Sequence, residues 1–276
     1  MLSRFASVLL AAALSASAAD TLPSENPKLH AGWLKMYDLQ FEDAHRIFAD
    51  WKQENSGNPM GYVSDGAAYL FAELARLGAL ESEFFTDDDR FLGREKLMPD
   101  PNMKSLFMQQ IMQSDRLAED ILKKYPNQPD ALFARSLSLG LQADYASLVE
   151  KRDYAALGLT KESRDFADRL LAVNPKAYDA YLGPGVEQYL LSLKPAPLRL
   201  LLRLTGSRID REKGIAQLKI TAAQGHYLEP FAKLLLAVAA LRDKSFGEAR
   251  RLLGELSSRF PNNPLYRKEL ERLKGK

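Results

Sequence analysis

Cysteine is absent from this chain of 276 residues. That excludes disulfides, thiol catalysis and a lipid anchor on cysteine. Histidine is nearly as scarce. The three are His30, His45 and His226, and no two stand at helical i,i+4 spacing. A zinc or histidine-based catalytic site would therefore need distant residues to converge. β-Branched aliphatics are few as well, with 12 Val plus Ile against 47 Leu. Strands favour β-branched side chains and helices do not, so the ratio predicts an all-α fold. Beyond the N-terminus the longest apolar run, Leu234 to Leu241, has eight residues. A membrane-spanning helix needs about 20. No glycine-rich phosphate loop, nucleophile elbow or paired-carboxylate motif occurs. The formal charge is only +2, and the basic residues are scattered. Nucleic acid is accordingly not an expected partner.

What is present begins with an address. Arg4 precedes an apolar run from Phe5 to Leu14, and small residues follow from Ser15 to Ala19. This is the pattern of a secretory signal peptide over residues 1–19. Cleavage is expected after Ala18 or Ala19, which leaves a mature chain of residues 20–276. The expected location is periplasmic or secreted. With 46% apolar and 27% charged residues, the mature chain has the composition of a folded globular protein. Without disulfides it depends on its apolar core.

The chain is also repetitive. Tyr125-Pro-Asn-Gln-Pro129 and Phe260-Pro-Asn-Asn-Pro264 nearly match, and Asn55-Ser-Gly-Asn-Pro59 occupies the same place near the front. Val173-Asn174-Pro175 is a shorter version, and Ala223-Gln-Gly-His226 a worn one. Proline disfavours helical geometry in the residue before it. Asparagine tolerates a left-handed helix end, and a second proline suits the next helix's first turn. Each motif therefore predicts a joint between helices. Helices are expected near 28–38, 41–54, 60–80, 102–124, 129–149, 160–173, 176–192, 210–224, 229–241, 246–259 and 264–274. Two insertions, 81–101 and 194–210, break the rhythm.

Within the last hairpin Leu236, Ala237, Phe246, Ala249, Leu253, Leu256 and Pro261 follow a large, small, aromatic, small, large, apolar, proline order. This stretch resembles a tetratricopeptide repeat. The front hairpin is similar, with Gly32, Phe41, Ala44 and Phe48, and with Trp51 where a small residue is usual. With its signal, irregular repeats and Tyr181-Leu-Gly-Pro-Gly185 segment, the chain looks like exported bacterial repeat proteins. The resemblance implies a tetratricopeptide-repeat-like α-solenoid, a right-handed superhelical array of antiparallel helix pairs. It further implies a non-catalytic scaffold whose concave face holds a protein or peptide. No catalytic, cofactor or metal residue is expected.

Three segments invite function. The cluster Glu81, Glu83, Asp87, Asp88 and Asp89 lacks the alternate spacing and glycine of a calcium loop, so it reads as a capped, solvated turn. Tyr178, Leu182, Gly185 and Tyr189 form a helical stripe, with Tyr181 close by. It reads as core or as a partner-binding face. Pro184 in this stretch predicts a helix break or kink. Residues 194–208 carry Lys194, Arg199, Arg203 and Arg208 and no acid. As a helix they would set Leu198, Leu201, Leu202 and Thr205 on one face and Arg199 and Arg203 on another. Such a helix packs on the array, faces a partner or meets an anionic membrane surface. The partner-binding candidates are Tyr178, Tyr181, Tyr189, Arg199 and Arg203. The alternatives to the scaffold are an envelope-assembly or membrane-associated factor acting through 194–208, and an enzyme with a site between repeats.

Overall fold

Proline and the polar residue before it decide where five of the twelve described helices begin. In the computed structural model, which describes residues 26–80, 98–194, 196–204 and 206–275, five helices open this way. They are α1 (Pro27–Tyr37), α3 (Pro59–Arg76), α4 (Pro101–Lys124), α5 (Pro129–Asp144) and α12 (Pro264–Arg272). Asn26, Asn58, Asp100, Gln128 and Asn263 precede those prolines in extended conformation. Each accepts a hydrogen bond from a first-turn N–H. Proline at the first position gives up an N–H that would have no partner anyway. So Asn58 and Asn263 act as N-caps, where a left-handed helix end is expected from the motif. The left-handed residues are elsewhere. Leu39 and Lys244, both at φ 58°, close the first and last hairpin turns.

The remaining helices are α2 (Phe41–Glu54), α6 (Asp153–Val173), α7 (Leu182–Ser192), α8 (Ala196–Leu204), α9 (Arg211–Gln224), α10 (Glu229–Arg242) and α11 (Phe246–Arg259). A π turn follows α5 at Tyr145–Val149, and a 3-10 turn precedes α7 at Tyr178–Tyr181. No strand occurs among the described residues, so the all-α class holds. Consecutive helices pack on one another from α1 to α7 and from α9 to α12, and α7 packs directly on α9.

Several boundaries differ from the expected ones. α6 starts at Asp153, seven residues early. Ala156 packs there on Ala143 and Ala146, with Leu159 alongside, which holds two extra turns despite Gly158. The break expected at Pro184 lies one turn earlier, in the 3-10 segment. Pro184 itself sits in the first turn of α7, where its missing N–H costs nothing. Gly185 and Gly214 then let α7 and α9 meet backbone to backbone. A Cβ on Gly214 would lie 2.7 Å from the Tyr189 nitrogen and 2.9 Å from the Gly185 oxygen.

One apolar core runs from Leu29 to Leu273. The residues of the front repeat enter it as their sizes suggest. Ala44, Phe48 and Trp51 are buried, and the Phe48 ring lies against Gly32. The first hairpin also touches the last. Asp38 accepts bonds from the Asn262 backbone N–H (2.9 Å) and side-chain amide (2.6 Å). Asn263 donates to the Tyr37 carbonyl at 2.9 Å. The Tyr37 hydroxyl donates to the Tyr227 carbonyl, and the Asn26 N–H donates to the Tyr227 hydroxyl. Aromatic rings fill the space between these elements. Tyr227 lies 6.0 Å from Trp33 and 6.5 Å from Phe133, and Phe71 lies 5.7 Å from Phe231. A residual cavity of about 30 Å³ lies beside Tyr37, Phe71 and Tyr266. That is space for about one water.

Candidate functional surface

Polar clusters inside the protein mostly tie helices together. Asp65 on α3 is buried, and a buried carboxylate requires partners. His45 Nδ1 stands 2.5 Å from one of its oxygens, and Lys52 Nζ stands 2.5 Å from the other. Lys52 continues to Gln110 at 2.9 Å, and the His45 ring lies against Tyr69, tilted by 32°, with centres 4.0 Å apart. Burial, then the Asp65 charge, raises the Tyr69 hydroxyl above its ordinary pKa. No hydroxyl nucleophile is bonded to His45 among the described residues. The cluster fastens α2 and α4 to α3.

Asp179 performs a related task. It is buried in the 3-10 turn, and its two oxygens accept from the N–H groups of His226, Tyr227 and Leu228 at 2.9 to 3.1 Å. α10 has no side-chain cap of its own. The worn joint at 223–226, lacking an Asn-Pro pair, is thus capped from another helix. Burial raises the Asp179 carboxyl above the usual range, and the three backbone bonds oppose the rise. Beside this cap the His30 and His226 rings stand 4.1 Å apart. Burial, then the His226 and Arg259 charges, lowers the His30 pKa.

The five partner-binding candidates differ in exposure and in what they contact. Tyr189 is buried under the Arg211 guanidinium, 5.9 Å from its ring centre, and serves the α7–α9 contact. Tyr178 is half-buried, and its carbonyl accepts from Thr221. Tyr181 is half-buried and donates its hydroxyl to the Pro175 carbonyl. Arg199 and Arg203 lie on α8, donating to the Ser192 and Ile209 carbonyls at 3.1 Å. Of the apolar face expected for 194–208, Leu202 is buried and Leu198 is 41% exposed. The acidic cluster 81–89 lies outside the described residues.

Sequence reading missed where the uncovered apolar surface is. Among the described residues, every exposed large apolar side chain lies between Met98 and Leu204. Tyr154 at 94% and Tyr125 at 66% are the most exposed aromatics. The helices before and after this span, α1 to α3 and α9 to α12, expose none. The repeat motifs point to joints and core positions, and they carry no signal for this asymmetry. No helix of the described residues is long and apolar enough to cross a membrane. Compared with models of protein families and with curated proteins, the chain matches none.

Proposed function

We propose that the chain is an exported, non-catalytic scaffold that holds a protein or peptide partner. One observation supports this reading: among the described residues the exposed large apolar side chains all lie in the segment from Met98 to Leu204 and spare the mutually bonded first and last hairpins. Scattered apolar residues on a surface need no explanation, whereas a concentration of them marks an interaction site. We place the partner along α4 to α7, with Tyr125 and Tyr154, which flank α5 at its two ends, and the half-buried Tyr181 as its anchors. Solvent-facing tyrosines are common anchors of protein interfaces. A concave groove is the less favoured place, because Trp33, Phe71, Phe133, Tyr227 and Phe231 occupy the interior. The tetratricopeptide-like pattern and the signal-like N-terminus supply the helical-array and export parts of the proposal.

The test is affinity isolation of the tagged chain after cross-linking in intact cells. A specific co-isolated protein is expected, and Tyr125→Ser/Tyr154→Ser should lose it while melting like the wild type. Retention of the same protein by that variant, or no specific protein at all, would contradict the proposal.

A further inference from the structure

α8 is a firmly closed helix whose outward side is apolar. Gly206, at φ +87°, ends it in a left-handed turn. Its N–H donates to the Arg203 carbonyl, and the Ser207 N–H donates to the Leu202 carbonyl, both at 3.1 Å. The flanks are fastened as well. Arg199 holds the Ser192 carbonyl on the incoming side. On the outgoing side Arg208 pairs with Asp168 at 2.8 Å, and its backbone N–H donates to Glu187. Glu187 is itself held by buried Arg164 at 2.7 Å.

Leu202 faces the body of the protein and is buried. Leu200 and Leu204, one turn apart on the opposite side, are 62% and 78% exposed. A surface helix ordinarily turns polar residues outward. Arg199 and Arg203 run along the flank of this leucine pair. Lys194 precedes the helix, and the Lys161 ammonium lies against Gly206 at its end. Among the described residues none of these four cations is paired with a carboxylate. Nearby acids are engaged elsewhere. Asp168 holds Arg208, Asp165 holds Arg164, and Asp210 caps α9.

We propose that α8 seats the protein on an anionic lipid surface. Leu200 and Leu204 enter the apolar boundary, and Arg199, Arg203, Lys194 and Lys161 meet headgroup phosphates. Protruding leucines and a cationic border with no interspersed acid match a fluid anionic surface better than a protein groove, which would offer fixed carboxylates to a fixed shape. A nine-residue helix gives a shallow, reversible attachment. The proposal rests on α8 alone and stands without the partner placed on α4 to α7.

Vesicle flotation of the chain from Asp20 onward tests the proposal. Its core is complete between Leu29 and Leu273. The protein should float with phosphatidylcholine vesicles containing phosphatidylglycerol, stay down with phosphatidylcholine alone, and be released by high salt. Arg199→Gln/Arg203→Gln should weaken partitioning by roughly 10- to 30-fold, and Leu200→Ser/Leu204→Ser should abolish it. The absence of cysteine allows a second readout that does not depend on those variants. A polarity-sensitive dye on Leu200→Cys should shift to the blue on anionic vesicles, while the same dye on Lys274→Cys should not. Equal binding to neutral and anionic vesicles, no flotation, or an unshifted dye at position 200 would overturn the proposal. So would burial of that dye by a protein partner in the absence of lipid.

Discussion

Asp179 shows how one residue can carry a joint. Two buried N–H groups and a part-buried third depend on its carboxylate, and an unsatisfied buried donor costs roughly 1–3 kcal/mol. Asp179→Ala should therefore destabilise the protein by about 3 kcal/mol or more in urea denaturation. A loss under 1 kcal/mol would mean that water replaces the cap. Asp144 makes a pH prediction. Burial raises its carboxyl to about 7, far above the 3.8 of a free aspartate. The folded state then keeps a proton that the unfolded state releases. Its stabilising effect is complete below about pH 4 and is lost as pH rises through 7. Asp144→Asn should thus gain stability relative to the wild type on going from pH 4 to pH 8. Asp144 keeps part of its surface in water, which screens the effect, so the gain should be on the order of 2 kcal/mol. Parallel pH-stability curves for the two proteins would refute it. Neither residue was legible in advance. Asp179 acts across 47 to 49 residues, and a burial shift depends on what the fold places around the carboxyl.

Helix starts were the most legible elements, because cap and proline are chain neighbours and act locally. The α8 helix was legible as a possibility, but the side it buries was not. Its leucines span a broad arc facing away from Arg199 and Arg203, and only tertiary contact makes Leu202 the inner one. The early start of α6 likewise rests on alanine packing with another helix. Two substitutions test the element-level account. Lys244 is exposed and left-handed, a conformation that costs an L-residue about 1 kcal/mol. Lys244→Gly should raise stability by roughly 0.5–1 kcal/mol, measured by denaturant midpoint. Gly214→Ala should do the reverse by roughly 2–3 kcal/mol, since its Cβ would strike backbone that has no rotamer to yield. A neutral Gly214→Ala would mean that α7 and α9 are not in the close contact described.

At the scale of the whole molecule, the Pro-Asn-Asn-Pro motif does more than separate two helices. Asn262 and Asn263 bond the first hairpin across more than 220 residues, a contact that no local pattern announces. Repeat arrays with free ends fray from those ends. Here hydrogen exchange should show α1 and α12 protected to similar degrees, and Asp38→Ala should lower both together. Closing the ends leaves α4 to α8 as the part of the surface with uncovered apolar groups. The claim that this surface does the protein's work is tested most directly by a photo-reactive residue scanned over it in living cells. Probes at Met112, Tyr125 and Tyr154 should cross-link to one and the same protein, and probes at Arg46 and Lys274 should give none. Cross-links that arise equally from all five positions, or only from Arg46 and Lys274, would contradict the account.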